Sequence, residues 1–141
     1  MGLLAAAGLY GIFWLGRAAA TALFPFAEAQ IADVYVQGEG MSRWTIAMVL
    51  LFVTGPCEEI YWRGYLQQGL ADRFGGWRGW LLGVAAYALA HIWSLNAMLI
   101  AAASVAGAFW GLIFWRRGNL APAIVSHSLW GVAIFTLWPL G

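Results

Sequence analysis

The 141-residue chain is 63% hydrophobic and only 9% charged, with ten tryptophans, no lysine and a formal net charge of +1. Long apolar stretches with few charges are typical of transmembrane helices and exclude an ordinary soluble domain. The near-neutral charge and the scattered arginines provide no patch for nucleic-acid binding. We therefore predict an all-α, polytopic membrane helix bundle with about five transmembrane helices. Residues 1–141 would form a single membrane domain, multi-pass in the cell (inner or plasma) membrane.

The first predicted span covers residues 3–26 and carries one charge, Arg17, before Pro25 marks its end. An arginine at this depth either extends toward the membrane surface or pairs with an acid inside the bundle. Residues 27–43 follow, with three acids against Arg43 and two glycines. This composition predicts a polar loop rather than a span.

The second predicted span, residues 44–71, is too long for one simple membrane helix. Thr54, Gly55 and Pro56 lie in its middle, and proline favours the first turn of a new helix, so we expect a break or kink there. Glu58 and Glu59 would then lie in the first turn after the break. Helix N-termini favour anions, which helps two acids to be tolerated at that depth.

Three further spans are predicted in the rest of the chain. The third covers residues 77–93 and follows a turn at Gly75. The fourth, residues 95–115, is rich in Ala and Gly, which favours close packing between membrane helices. The fifth runs from Pro122 to about residue 140, with Asn119 as a plausible cap.

Two carboxylates and two histidines lie inside these apolar segments, namely Glu58, Glu59, His91 and His127. Acidic groups are costly to bury in a membrane and mark a functional site by default. Glu58 lies 17 residues before Gly75 and His91 lies 16 after it, so a helical hairpin brings them to about the same depth. His127 is shallower but still within the hydrocarbon. We predict that the four residues meet in one cavity, provided that each faces inward.

Glu59 and Arg63 are four residues apart with the acid first, the favourable order for an ion pair on a helix. We assign this pair a mainly structural role and assign the chemistry to Glu58. A carboxylate in a dry cavity suits general-base work, activating a water for attack on a carbonyl. A histidine could hold that water or stabilise the developing oxyanion. Which of the two glutamates carries the proton stays open.

Three motifs together resemble a known family. They are Glu58-Glu59-x-x-x-Arg63-Gly64-x-Leu66, Tyr87-x-x-x-His91 and Gly118-Asn119-Leu120-x-Pro122-x-x-x-x-His127. In this order and within apolar segments they resemble the CPBP intramembrane glutamic endopeptidases, which include the CAAX prenyl proteases and the bacterial Abi proteins. The resemblance covers residues 44–140, the catalytic core of that family.

The resemblance implies a role for each matching residue. Glu58 would be the general base, His91 would assist it, and His127 would contribute to the oxyanion site. Glu59 and Arg63 would support them. No metal or other cofactor is implied.

This chain departs from the family pattern at one position of the third motif. The family usually has Asn or Asp four residues after its last histidine, and here that residue is Gly131. Loss of one oxyanion donor typically lowers the rate by about 10²–10³. One oxyanion donor is therefore missing unless another group, such as Asn96 or Ser128, replaces it, and we include Asn96 as a supporting residue.

We predict an intramembrane glutamic-type endopeptidase that cuts a peptide bond near the C-terminus of a membrane-associated protein or peptide. Its partners would be that substrate and the lipid bilayer. The short chain favours a bacterial source and processing of a sorting signal or peptide rather than of prenylated proteins.

Three alternatives are kept. The first is a non-catalytic binding or immunity protein that uses the same polar cavity, which the missing polar residue at position 131 favours slightly. The second is a zinc-dependent membrane protease, although the chain has no HExxH motif and its spacings are unlike the usual zinc patterns. The third is a small transporter, although no inverted repeat is recognisable.

Overall fold

The computed structural model describes residues 1–140, which are almost entirely helical and contain no β-strand. The predicted all-α class is therefore confirmed. The α-helices, in chain order, are α1 (Gly2–Leu23), α2 (Ala27–Val36), α3 (Arg43–Val49), α4 (Gly55–Glu59), α5 (Gln68–Phe74), α6 (Gly76–Leu89), α7 (Ala97–Arg117) and α8 (Ala121–Val132).

Helices α3, α4 and α5 are parts of one continuous helix, which we call the central rod (residues 43–74). Two π-helical segments, Leu50–Thr54 and Ile60–Gln67, join them. The break predicted at Thr54, Gly55 and Pro56 does not occur, because the backbone stays helical throughout. Pro56 has no N–H to donate, and it lies in the first turn of α4, directly after the wider π turn. The expected break is thus a local widening.

The π-helical segments determine which residues the rod buries. Gly55, Glu59, Arg63 and Gln67 are buried, one at every fourth position. In an α-helix, residues four apart drift by about 40° around the axis at each step. A π turn holds more residues, so this four-residue spacing stays closer to one line along the rod. One polar face is thereby aligned toward α7 and α8.

Helix α6 is shorter than predicted, because it ends at Leu89 rather than at residue 93. A turn and a short 3₁₀ segment, Ile92–Ser94, follow it. Leu95 adopts a left-handed conformation with φ 53°. The Asn96 side chain then accepts from Leu99 N and caps α7. The chain therefore reverses here, and His91 lies just beyond the end of α6.

The last two helices agree with the prediction in outline. Gly118 ends α7 in a left-handed conformation, and Pro122 lies in the first turn of α8. Asn119 Oδ1 accepts from Ala121 N at 2.9 Å, which satisfies one free N–H of that turn. Residues 133–137 continue α8 as a π-helical segment.

The segment predicted as a polar loop, residues 27–43, instead contains α2. Gln30 binds this helix to the start of α7, since its backbone carbonyl accepts from Asn96 Nδ2 at 2.7 Å and its side-chain oxygen accepts from Met98 N at 3.1 Å. Composition indicated the polarity of this segment but not these contacts.

The hydrophobic core lies between α1, α7 and α8. Leu9, Trp110 and Ala123 have no exposed surface, and Trp130 and Ile134 pack with them. Two helices are long and apolar enough to cross a membrane, Gly2–Leu23 and Ala97–Arg117, and Ala121–Leu137 is apolar but shorter. The predicted count of five spans is not confirmed by this measure. Helix α6 has 14 residues, about 21 Å, and the central rod carries several charges.

Candidate active site

The most buried acid in the chain is Glu59, which has no exposed surface. Its Oε1 accepts from Arg63 Nη1 at 2.9 Å and lies 2.7 Å from His127 Nδ1. The predicted Glu59–Arg63 pair is therefore present, and one histidine joins it from α8. Glu59 Oε2 is buried and has no protein partner.

Arg63 and Gln67 connect the same face of the central rod to α7. Arg63 is 2% exposed, and its Nη2 donates to the Gly107 carbonyl at 3.4 Å. Gln67 Nε2 donates to the Gly111 carbonyl at 2.9 Å. Each bond joins residues 44 positions apart, so the rod and α7 make the same kind of side-chain-to-carbonyl contact twice, four residues apart. We call Glu59, Arg63, Gln67 and His127 the Glu59 network.

Aromatic rings hold the charged members of the Glu59 network. The His127 ring stacks on Trp110 with centroids 3.9 Å apart and an interplanar angle of 12°. Trp110 Nε1 donates to Ser126 Oγ at 3.1 Å, which fixes the indole. The Arg63 guanidinium lies 4.5 Å from the Tyr87 ring centroid. A buried cation gains from such contacts when it is desolvated.

Glu58 points to a different set of residues, although it is adjacent to Glu59. It is half-buried, and its Oε2 accepts from the Tyr87 hydroxyl at 2.9 Å. The Tyr87 carbonyl lies 2.9 Å from His91 Nδ1, and the two rings are in edge contact at 5.2 Å. Because a carbonyl only accepts, this bond places the hydrogen on Nδ1 and leaves Nε2 of a neutral His91 as an acceptor. We call Glu58, Tyr87 and His91 the Glu58 group.

The four predicted residues thus come together as two connected pairs rather than as one direct cluster. His127 contacts Glu59, and Glu58 is linked to His91 through Tyr87. Tyr87 also joins the two sets, since Arg63 lies over its ring. The sequence indicated Tyr87 only as the first residue of a motif. Its position four residues before His91, on one helix face, was the available signal.

The two residues named as replacements for a polar group at position 131 differ in surroundings. Asn96 is occupied elsewhere, because Nδ2 donates to Gln30 O and Oδ1 accepts from Leu99 N. Ser128 is buried, and its Oγ has no protein partner. It packs directly against Gly55 of the central rod. A side chain at Gly131 would meet Leu50 at 3.7 Å, not a polar group.

Cys57, next to Glu58, is exposed and unpaired. Within residues 1–140, no three His, Cys, Asp or Glu side chains are grouped closely enough to hold a metal ion. The contact between Glu59 and His127 therefore lacks a third ligand of these types.

Comparison with known proteins identifies one family. A family model described as type II CAAX prenyl endopeptidase, Rce1-like, matches residues 40–133, well over half of the chain. The match includes the whole of α4, α6 and α8, and therefore all four predicted site residues. No curated protein and no solved structure matches the chain.

Proposed function

We propose that this chain, which belongs to the Rce1-like family of type II CAAX prenyl endopeptidases, is a multi-pass membrane endopeptidase of the glutamic type with Glu58 as its general base. The observation that carries the proposal is the contrast between the two adjacent glutamates. Glu58 has one hydrogen bond, from a neutral hydroxyl, whereas Glu59 is held by Arg63 and His127.

A general base must be able to reach its proton and accept it. The oxygen of Glu59 that contacts other groups is already shared between a guanidinium and an imidazole, and its carboxylate has no exposed surface. Glu58 is half-buried and has no charged partner in contact. Glu58 is therefore better placed to take a proton from water.

Glu59 acts on the reaction through His127. The bond between the Glu59 carboxylate and His127 Nδ1 orients the ring and leaves Nε2 as the nitrogen free to contact a substrate. Nε2 can donate to an oxyanion only when the ring carries both protons, and the adjacent carboxylate stabilises that imidazolium. Glu59 is a positioning residue in this scheme, and His127 is an oxyanion donor.

The reaction is the hydrolysis of a peptide bond. Glu58 takes one proton from a water molecule while the water oxygen bonds to the substrate carbonyl carbon. Negative charge develops on the carbonyl oxygen, where His127 donates a hydrogen bond. The C–N bond then breaks, and the proton held by Glu58 passes to the leaving amine. His91 Nε2 accepts a hydrogen bond from the attacking water and orients it.

Ser128 is the better replacement for the polar residue that the family carries at position 131. Its hydroxyl is buried and without a protein partner, and it lies against Gly55 in the turn that precedes Glu58 and Glu59. The Asn96 amide is used to hold α2 against α7. We assign Asn96 a structural role.

The substrate of the proposed enzyme is a membrane-associated protein or peptide, cut near its C-terminus. In this arrangement α1, the central rod, α6, α7 and α8 are the five membrane helices, and no metal takes part. The rod crosses with its Glu59 network facing α7 and α8, so its charges are shielded from lipid.

The test is cleavage of a panel of membrane peptides in liposomes, with and without a chelator. We expect chelator-resistant cleavage that Glu58→Gln and His91→Ala abolish, whereas Glu28→Gln, at an exposed acid in α2, leaves it unchanged. Ser128→Ala should lower kcat about 10²-fold if its hydroxyl is the oxyanion donor. Cleavage that survives Glu58→Gln overturns the assignment of the base.

Two results would favour the other functions. Loss of activity with chelator and its return with zinc would indicate the metal-dependent protease. Saturable peptide binding without turnover, unchanged in Glu58→Gln, would indicate a binding protein that uses the same cavity.

A further inference from the structure

A cavity with mostly apolar walls lies away from the residues assigned to catalysis. It encloses about 360 Å³ between α1, α2, α7 and the end of α8, and none of Glu58, Glu59, His91 and His127 lines it. Its walls are mostly apolar, with Ile12 and Phe13 on α1 and Val105 on α7 among them. The volume is within the range of ligand pockets, roughly 300–1000 Å³.

One charged side chain lines this cavity, Arg17 of α1. Of the two sequence-based alternatives for Arg17, pairing with an acid is not observed, because no carboxylate within residues 1–140 forms an ion pair with it. Arg17 Nε is buried and has no hydrogen-bond partner among these residues. A buried guanidinium donor without an acceptor is energetically costly.

A second buried donor lines the same cavity from α8. Trp130 is 9% exposed, and its Nε1 has no acceptor among the described residues. Its ring packs edge-on against Phe13, with centroids 4.7 Å apart. Indole N–H groups usually find a partner when they are buried.

The remaining polar group of the cavity wall is already satisfied. The Tyr35 hydroxyl donates to the Ile134 carbonyl at 3.2 Å and accepts from Leu140 N at 3.0 Å. Burial raises the pKa of Tyr35, so the hydroxyl remains protonated and keeps donating. The cavity therefore has two unused donors, one of them cationic, within apolar walls. A ligand with an anionic acceptor group attached to an apolar body would satisfy both donors.

We propose that this cavity binds a long-chain fatty acid, whose carboxylate accepts from Arg17 and Trp130 and whose chain lies along the apolar wall. A planar carboxylate matches the donor geometry of a guanidinium. Arg17 lies six residues before Leu23, about 9 Å along α1 from its end. A volume near the lower end of the ligand-pocket range suits one chain better than two.

The proposal is independent of the proposed proteolysis, because the cavity and the site share no assigned catalytic residue. Trp130 separates them, since it lines the cavity and also contacts the His127 ring, with centroids 6.4 Å apart. A bound acyl chain would pack on the face of this wall that lies away from His127.

The test uses 9,10-dibromostearic acid, which quenches nearby tryptophan fluorescence, and the matched dibromostearyl alcohol, with full-length protein in detergent at pH 8. We expect saturable quenching by the acid and at least tenfold weaker binding of the alcohol. Arg17→Gln should raise Kd for the acid at least tenfold and remove the preference for acid over alcohol. Arg17→Lys, which keeps the charge, should retain part of the affinity.

Arg73→Gln is the matched control, because Arg73 is exposed in the last turn of α5 and does not line the cavity. It should bind the acid like the wild type. Trp130→Phe should weaken binding a few-fold and reduce the maximal quenching, while keeping the aromatic wall. Equal binding of acid and alcohol, or an unchanged Kd in Arg17→Gln, overturns the proposal. Arg17-dependent displacement of the acid by phosphatidylglycerol at equal affinity would overturn it in favour of an anionic phospholipid.

Discussion

Glu58 and Glu59 are adjacent in sequence, yet the Glu58 group and the Glu59 network are different kinds of environment. Glu59 is fully buried, bound by a cation and an imidazole, and continuous with the bonds that connect the central rod to α7. Glu58 is half-buried and accepts one bond from Tyr87. Adjacent residues on a helix point about 100° apart, so Glu59 lies on the packed face of the rod and Glu58 lies beside it. Two identical, adjacent side chains thus acquire different burial and different bonding partners from their orientation on one helix.

The largest expected effect is on stability, from breaking the charge pair of the Glu59 network. Arg63→Met keeps the apolar contacts but leaves Glu59 buried without its cation, which should cost about 3–5 kcal/mol of unfolding free energy. Glu58→Gln should change it by less than about 1 kcal/mol, because its single hydrogen bond can be replaced. Unfolding by SDS titration in mixed micelles measures both.

A double variant sharpens this contrast. Glu59→Gln combined with Arg63→Met removes both charges and should recover part of the stability that Arg63→Met loses. Strictly additive losses would contradict the pair as the source of the effect.

The next effect concerns the contact that holds α8 against the central rod. A Cβ at Gly55 would overlap Ser128 Oγ and lie 3.0 Å from Ser128 N and Cα. Gly55→Ala must therefore push α8 away, at a cost of about 1–3 kcal/mol, and move His127 away from Glu59. The hydrogen bonds of the Glu58 group do not involve α8 and should be unchanged. Cysteine crosslinking or solution spectra of the His127 ring would report the displacement.

Gly8→Ala provides the control for that substitution. Gly8 is exposed in α1 with nothing within 4 Å of an added Cβ, so alanine there should not reduce stability. Equal losses in Gly8→Ala and Gly55→Ala would contradict the contact with Ser128 as the cause, because an added Cβ at Gly8 meets no neighbour and alanine has the higher helix propensity.

A smaller effect is expected within the Glu58 group. Tyr87→Phe removes the hydroxyl that donates to Glu58 but keeps the ring over which Arg63 lies. We expect kcat to fall about tenfold, corresponding to about 1.4 kcal/mol, with little change in unfolding free energy. A large loss of stability with unchanged kcat would place Tyr87 in the Glu59 network instead.

The smallest effect is expected at the position where the family usually carries a polar residue. A Cβ at Gly131 would make ordinary contacts with Leu50 at 3.7 Å and longer. Gly131→Ala should therefore stabilise α8 by about 0.5–1 kcal/mol and leave kcat unchanged. A loss of activity would mean that space at this position is part of the site.

The sequence was sufficient for features that depend on local spacing. The four-residue separation of Glu59 and Arg63 predicted their ion pair, which is present. The nearly equal distances of Glu58 and His91 from Gly75 predicted a shared depth, and Tyr87 links the two residues. The catalytic roles of these residues stay predictions. The all-α class followed from composition.

Other features depend on packing that no local pattern encodes. His127 binds Glu59 rather than Glu58 because of how the rod is rotated against α8, and that rotation is set by close contacts such as Gly55 with Ser128. The π-helical segments that replace the predicted break have no signal in the local sequence, where Thr54, Gly55 and Pro56 predicted a break or kink. The early end of α6 follows from the capping of α7 by Asn96, seven residues further on.

The number of residues in the π-helical turn between the two acids and Arg63 decides which glutamate pairs with Arg63. Glu59 is the partner of Arg63 because it lies four positions before it. Deleting one residue from 60–62 would place Glu58 at that distance and move Glu59 off the buried face. An insertion at the same place would bring Ile60 there, and Arg63 would lose its counterion. The doubled glutamate therefore makes the fold, but not the proposed catalysis by Glu58, tolerant of shortening at this point and intolerant of lengthening. Indel scanning of stability would reveal this asymmetry.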